Sequence, residues 1–172
     1  MRNARTAIQL IERALRVLEL VLEWMVALLV LLLLLIVFGQ FVDRHFISLH
    51  IAAPDQYARV ALVWLTFIGF AIAVRNGLNI RVDLIDARLP RKAQKALEIV
   101  FDAIMLFLLG VLMIHGRRVV EVGEGQVLLG TVLTAAQQSA SLVVACAVMT
   151  LFVGLRLVAR VFGVELPKRA EF

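Results

Sequence analysis

Two acidic residues, Asp83 and Asp86, come closest to a catalytic pair in this 172-residue sequence. Carboxylates in a D-x-x-D motif can hold a divalent cation against a phosphate, as a lipid-modifying enzyme would. However, six basic residues between positions 75 and 95 surround the pair, and the sequence marks no further metal ligand. We therefore interpret the two carboxylates as local charge balance and helix capping rather than as a catalytic centre.

Two histidines, His45 and His50, are the second candidate and lie in the short connection 43–57. Their five-residue spacing puts the imidazoles on no common helical face, and catalytic zinc typically takes three protein ligands. The sequence also lacks a glycine-rich phosphate loop, an H-E-x-x-H motif and a nucleophile elbow, and its one cysteine, Cys146, cannot form a pair. We predict that the chain is not an enzyme and holds neither a metal nor a cofactor.

Glu98 and Asp102 are the third candidate, because they lie four residues apart on one helical face near the start of an apolar segment. A carboxylate at membrane depth is costly, which makes it a candidate for ion coupling. The depth here is shallow, and Lys95 precedes Glu98 by one turn. An interfacial ion pair or a contact with a partner is therefore the interpretation that we favour over ion coupling.

The elements that must position these residues are those of an integral membrane protein. Hydrophobic residues make up 62% of the chain and the mean hydropathy is +0.95, both far above the soluble range. The hydrocarbon core of a bilayer is about 30 Å thick, and we predict four helical spans at about 24–42, 57–74, 96–114 and 139–160. Apolar residues at three- and four-residue spacing predict an amphipathic N-terminal helix over about 5–22. The predicted fold class is an all-α membrane protein with one transmembrane domain, 1–172.

The distribution of basic residues predicts the orientation. Fourteen of the 18 Lys and Arg residues fall in or next to the N-terminal segment, the second connection and the C-terminal tail, and four fall in or next to the first and third connections. Because cytoplasmic segments carry the excess of positive charge, both termini are predicted to be cytoplasmic. The net charge of +5 then reflects orientation rather than nucleic-acid binding.

The predicted spans are mostly aliphatic, with polar groups near their ends, and they lack the broken helices of a transport site. Small residues such as Gly69 permit close approach of helices, which is how helices associate in lipid. Such a helix set is typical of a scaffold or accessory subunit whose partner carries the chemistry.

A family resemblance lies in the second span and the loop after it. The stretch W-L-T-F-I-G (64–69) followed by R-N-G-L-N-I-R-V-D (75–83) resembles the small permease subunit of tripartite ATP-independent periplasmic (TRAP) transporters. Arg44 resembles an arginine that the family often has after the first span. Asn79 stands where histidine is common, so no titrating role carries over to that position.

The resemblance implies a sodium-coupled transporter of three components in the bacterial inner membrane. A periplasmic binding protein captures an organic acid, such as a four-carbon dicarboxylate or a sugar acid, and a large permease subunit transports it. The small subunit braces the large one as a stable heterodimer, and the sodium ions are expected in the large subunit. The expected contacts of this chain with its partner or with membrane lipids are Arg44, Trp64, Gly69, Arg75, Gly77, Asn79, Asp83, Glu98 and Asp102.

The alternative is a self-contained homo-oligomeric exporter of small molecules, with Glu23 or Asp102 as its coupling carboxylate. Such a protein should move its substrate when produced alone and should lose activity on Glu23→Gln or Asp102→Asn. Glu23 lies at the edge of the first predicted span rather than in mid-membrane, which weakens this alternative.

Overall fold

The computed structural model describes residues 2–47, 53–76 and 91–161, which are helical apart from one hairpin. The helices are α1 (Arg2–Val42), α2 (Pro54–Arg75), α3 (Arg91–Gly123) and α4 (Ala135–Val161), and a π-helical turn (Asp43–Ile47) continues α1. Each is long and apolar enough to cross a membrane, with candidate spans at Leu15–His45, Pro54–Arg75, Ala96–Gly123 and Ala135–Val158. The prediction of an all-helical chain with four apolar spans is confirmed.

Two helices are longer than the predicted spans. The helix α1 runs without interruption from Arg2 through the segment 5–22 to Val42, so the N-terminal segment and the first span are one helix. The helix α3 continues past Ile114 to Gly123, which makes the H-G-R-R sequence at 115–118 helical rather than part of a connection. The connection that remains, 124–134, contains an antiparallel bridge between Val127 and Thr134.

The start of α2 follows from its first residues. Pro54 occupies the first turn, where its missing N–H removes no intrahelical hydrogen bond and its fixed φ suits a helix. The preceding Ala53 has a left-handed backbone, with φ 45° and ψ 49°. This conformation, rare for a residue with a Cβ, turns the chain into the helix.

The helices pack in the order α1, α2, α4, α3, so that α2 and α4 are central. One buried cluster joins α2, α3 and α4, and its members are Ala71, Val74, Leu109, Ala145, Cys146, Met149 and Val153. A second cluster joins α1, α2 and α4 and contains Leu15, Leu22, Ile68 and Phe152. Both α2 and α4 therefore contribute to both clusters. In lipid, these two helices hold the bundle together by close packing of side chains rather than by removal of apolar surface from water.

Small residues contribute to this packing unequally. Ala145 and Ser141 of α4 are fully buried. By contrast, a Cβ added at Gly69 or at Gly154 would meet nothing within 4 Å. Gly69 therefore makes no close approach to another helix of this chain.

Candidate functional site

Charged side chains gather at one end of the bundle, where α2 and α4 end and α3 begins. At the centre of the group lies Asp102 of α3, whose exposed fraction is 3%. Among the residues whose side chains are described, Asp102 is the one buried carboxylate. A buried carboxylate is costly unless it is paired and hydrogen-bonded, so its partners determine what it does.

Two arginines of α4 bind the two oxygens of Asp102. Arg156 donates from Nη2 to Oδ1 at 2.6 Å, and Arg160 donates from Nη1 to Oδ2. The two arginines lie four residues apart, so they stand one above the other on the same face of α4. Their spacing matches that of Glu98 and Asp102 on α3, and the two pairs face each other.

The same arginines also reach the backbone of neighbouring helices. Arg156 donates from Nη1 to the carbonyl oxygen of Val74 at 3.4 Å, in the last turn of α2. Carbonyls there lack an intrahelical donor, so a guanidinium is a suitable partner. Arg160 donates to the carbonyl of Glu98 at 3.4 Å, and its Nε lies 3.4 Å from Glu98 Oε2. Arg156 thereby ties α2, α3 and α4 together at one point.

A second contact attaches α1 to this end of the bundle. The Nε of Arg75, the last residue of α2, lies 3.8 Å from Oε2 of Glu19 on α1. Its guanidinium carbon also lies 5.6 Å from the centroid of the Phe152 ring on α4, within the range of a cation–π interaction. We use the name charged clamp for the set Glu19, Arg75, Glu98, Asp102, Arg156 and Arg160.

The chemistry of the charged clamp is that of an ionic crosslink. Its three cations and three carboxylates balance within the chain, and both oxygens of Asp102 accept a hydrogen bond from an arginine. Guanidinium groups offer planar, bidentate donors that fix a carboxylate in place. The arrangement therefore suits a permanent link between helices better than a site that a cation enters and leaves.

Near the opposite end of the bundle, two hydrogen bonds rather than ion pairs join the helices. Trp64 donates from Nε1 to the carbonyl of Gln137 at 3.1 Å, which joins α2 to the start of α4. The amide of Gln40 donates to Asp55 Oδ1 at 3.0 Å, which joins α1 to the start of α2. Arg44 is exposed near this end.

The structure describes only some of the other predicted residues. Gly77, Asn79, Asp83 and Asp86 lie outside the described residues, as do His50 and the side chain of Lys95. His45 donates from Nδ1 to the carbonyl of Phe41 at 3.0 Å and stacks on the Phe41 ring. In the described parts of the chain, no group of three or more His, Cys, Asp and Glu residues could hold a metal ion.

The sequence predicts an interfacial ion pair or a partner contact for Glu98 and Asp102, and the structure pairs them with Arg156 and Arg160, which the sequence analysis did not single out. The count of basic residues that predicts the orientation groups Arg156 and Arg160 with the C-terminal tail. A usable signal was present, because two arginines at i and i+4 near the end of one span face two carboxylates at the same spacing near the start of another.

Comparison with known families gives a match over most of the chain. The model for the family described as tripartite ATP-independent periplasmic transporters, DctQ component, matches residues 33–163. The matched range includes α2, α3 and α4 and, of the charged clamp, every residue except Glu19. The comparison with curated proteins gave no match.

Proposed function

The chain belongs to the DctQ family of TRAP transporter components, which is not an enzyme family, and from this membership we propose that it braces the large permease subunit of its transporter. The observation that carries the proposal is the charged clamp. It crosslinks the helices at one end through side chains whose charges balance internally. A helix set fixed in this way can act as a rigid support for a subunit that moves.

The charged clamp also supports the predicted orientation of the chain in the membrane, with both termini on the cytoplasmic side. It contains three of the basic residues that distinguish the positively charged side of the chain, namely Arg75, Arg156 and Arg160. The positive-inside rule then puts the clamp at the cytoplasmic surface of a bacterial inner membrane, with both chain termini on that side. Because α1 is one uninterrupted helix, its N-terminal part would continue beyond that surface and pack on the partner.

The proposed partners follow from the family. The large permease subunit would form a stable heterodimer with this chain and would carry both the sodium sites and the substrate site. A periplasmic protein would deliver an organic acid, such as a four-carbon dicarboxylate or a sugar acid. In this proposal Asp102 has a structural role, because both of its oxygens are occupied by Arg156 and Arg160.

Affinity purification of the tagged chain from detergent-solubilised native membranes tests the proposal. The expected result is recovery of a much larger polytopic protein in equal amount. Recovery of the chain alone, as a defined homo-oligomer, would overturn the brace and would favour a self-contained exporter with Asp102 or Glu23 as the coupling group.

A further inference from the structure

The hairpin between α3 and α4, residues 124–134, exposes large apolar side chains at its tip. Leu129 is 87% exposed and Val132 is 85% exposed. Turns that face water usually carry Gly, Pro, Asn, Asp or Ser at such positions, because these residues are compatible with tight backbones and with solvent. The composition of this tip therefore needs another explanation.

The charge pattern places the hairpin with the membrane-spanning part of the chain. No charged residue occurs from Gly125 to Leu155, so the hairpin and most of α4 form one uncharged stretch. The nearest charged side chains are exposed on the last turns of α3 and immediately after it, and they are Arg117, Arg118, Glu121 and Glu124. The charges stop where the hairpin begins.

The position of Leu133 gives the depth of the hairpin. Leu133 lines an apolar groove of about 480 Å³ together with Leu32, Leu35 and Ile36 of α1. The helix α1 remains uncharged as far as Val42, so at about 1.5 Å per residue Ile36 lies about 9 Å before the end of that apolar stretch. The base of the hairpin thus lies beside the last apolar turns of α1, while its tip, where Gly130 approaches Ala53, is level with the start of α2.

The backbone of the hairpin is paired within itself only in part. Leu128 N–H donates to Leu133 O at 2.9 Å, and Ala135 N–H donates to Gln126 O at 2.8 Å. The Thr131 hydroxyl donates to Leu128 O at 3.0 Å and accepts from Leu133 N–H at 3.2 Å. The N–H groups of Leu129, Gly130 and Val132 have no partner within the hairpin, so the backbone of the tip belongs where water or lipid headgroups can still reach it, with its apolar side chains extending toward hydrocarbon.

We propose that the hairpin lies in the membrane interface and that the side chains of Leu129 and Val132 insert from there among the lipid acyl chains. Its apolar surface is continuous, through Leu133 and the groove, with the apolar surface of α1, which is itself a candidate span. The exposed side chains of Leu129 and Val132 therefore contact lipid hydrocarbon rather than water or another protein. The inference rests on the membrane spans and does not depend on the proposed brace.

Spin labelling tests the location of the tip. The single cysteine is first removed with Cys146→Ala, and a nitroxide is attached at Leu129→Cys or at Val132→Cys in the full chain, both in liposomes and in the complex with whatever membrane partner co-purifies. Leu34→Cys on the exposed face of α1 serves as the lipid reference, and Glu124→Cys serves as the water reference. Two tip sites are used so that a label that disturbs folding at one leaves the other readable.

The measurement is the accessibility of each label to oxygen, which concentrates in lipid, and to a water-soluble nickel chelate. The expected result is high oxygen and low nickel accessibility at both tip sites, as at Leu34. High nickel accessibility, as at Glu124, would overturn the proposal by placing the tip in water. Low accessibility to both reagents in the complex would overturn it by placing the tip against a protein partner.

Discussion

Arg156 and Asp102 lie 54 residues apart in the sequence, yet their side chains meet at 2.6 Å between α4 and α3. This contact, with its neighbour from Arg160, is the main polar link between the two helices at the clamp. Because these contacts join α3 to α4, a single substitution at Asp102, Arg156 or Arg160 should change how the two helices are held together.

The first prediction concerns the buried carboxylate. Asp102→Asn keeps the shape of the side chain but removes the charge that compensates Arg156 and Arg160. Breaking a buried ion pair on one side costs roughly 3 kcal/mol, so we expect a clear fall in the thermal unfolding midpoint in detergent. Glu121→Gln is the matched control, because Glu121 is exposed on the same helix. Equal midpoints for the two variants would contradict a structural role for Asp102.

The second prediction concerns the attachment of α1. Arg75→Ala removes both the contact with Glu19 and the cation–π contact with Phe152. Each such contact is worth roughly 0.5–1 kcal/mol when partly exposed, so we expect lower stability and less complex recovered with the partner. Arg117→Ala changes an exposed arginine of α3 and should leave both unchanged, and the same is expected of Arg169→Ala. If Arg75→Ala and Arg117→Ala reduce recovery equally, the specific role of Arg75 is wrong.

The third prediction concerns the close contact between the hairpin and the start of α2. Gly130 has a positive φ of 78°, and a Cβ added there would lie 2.7 Å from the Cβ of Ala53. Gly130→Ala therefore combines backbone strain with a steric clash, and we expect a loss of roughly 2 kcal/mol. Gly125→Ala in the same hairpin is the control, because a Cβ there would meet nothing within 4 Å. Thermal unfolding of both variants checks the expectation, which fails if Gly130→Ala is as stable as Gly125→Ala.

The fourth prediction compares the two tryptophans of the chain. Trp64→Phe removes the donor to the Gln137 carbonyl while keeping an aromatic ring, and a hydrogen bond of this kind contributes about 1 kcal/mol. Trp24 is 75% exposed, so Trp24→Phe should leave the unfolding midpoint unchanged. A midpoint for Trp64→Phe that matches that of Trp24→Phe would show that the link between α2 and α4 does not contribute to stability.

The sequence predicted the four apolar helices because length and hydropathy are local properties of the chain. It predicted an ion pair at Glu98 for the same reason, with Lys95 as the nearest cation along the helix. The pairing with Arg160, 62 residues away along the chain, depends on which helices become neighbours and in what register. Apolar patterning in a membrane helix sets neither, because lipid-facing and partner-facing residues are equally apolar.

The glycines also show that the sequence does not reveal which residues make close contacts between helices. Gly69 belongs to the motif that carries the family resemblance, yet it faces open space within this chain. The tight contacts are at Gly130, against Ala53, and at Gly123, where an added Cβ would lie 2.6 Å from the backbone nitrogen of Ala136. Both positions lie where α3 gives way to the hairpin and α4, and a glycine there is required by contacts that sequence spacing does not reveal.

Sodium-driven uptake of radiolabelled four-carbon dicarboxylates and sugar acids into liposomes is the most direct test that this chain braces a transporter rather than transporting by itself. Four preparations are compared: this chain alone, the chain alone carrying Asp102→Asn, the chain with the proposed large subunit and binding protein, and that complex carrying Asp102→Asn. We expect no uptake by the chain alone, uptake by the complex, and an unchanged rate per assembled complex in the variant, even where fewer complexes assemble. Uptake by the chain alone that Asp102→Asn abolishes would contradict both the brace and the structural role of Asp102.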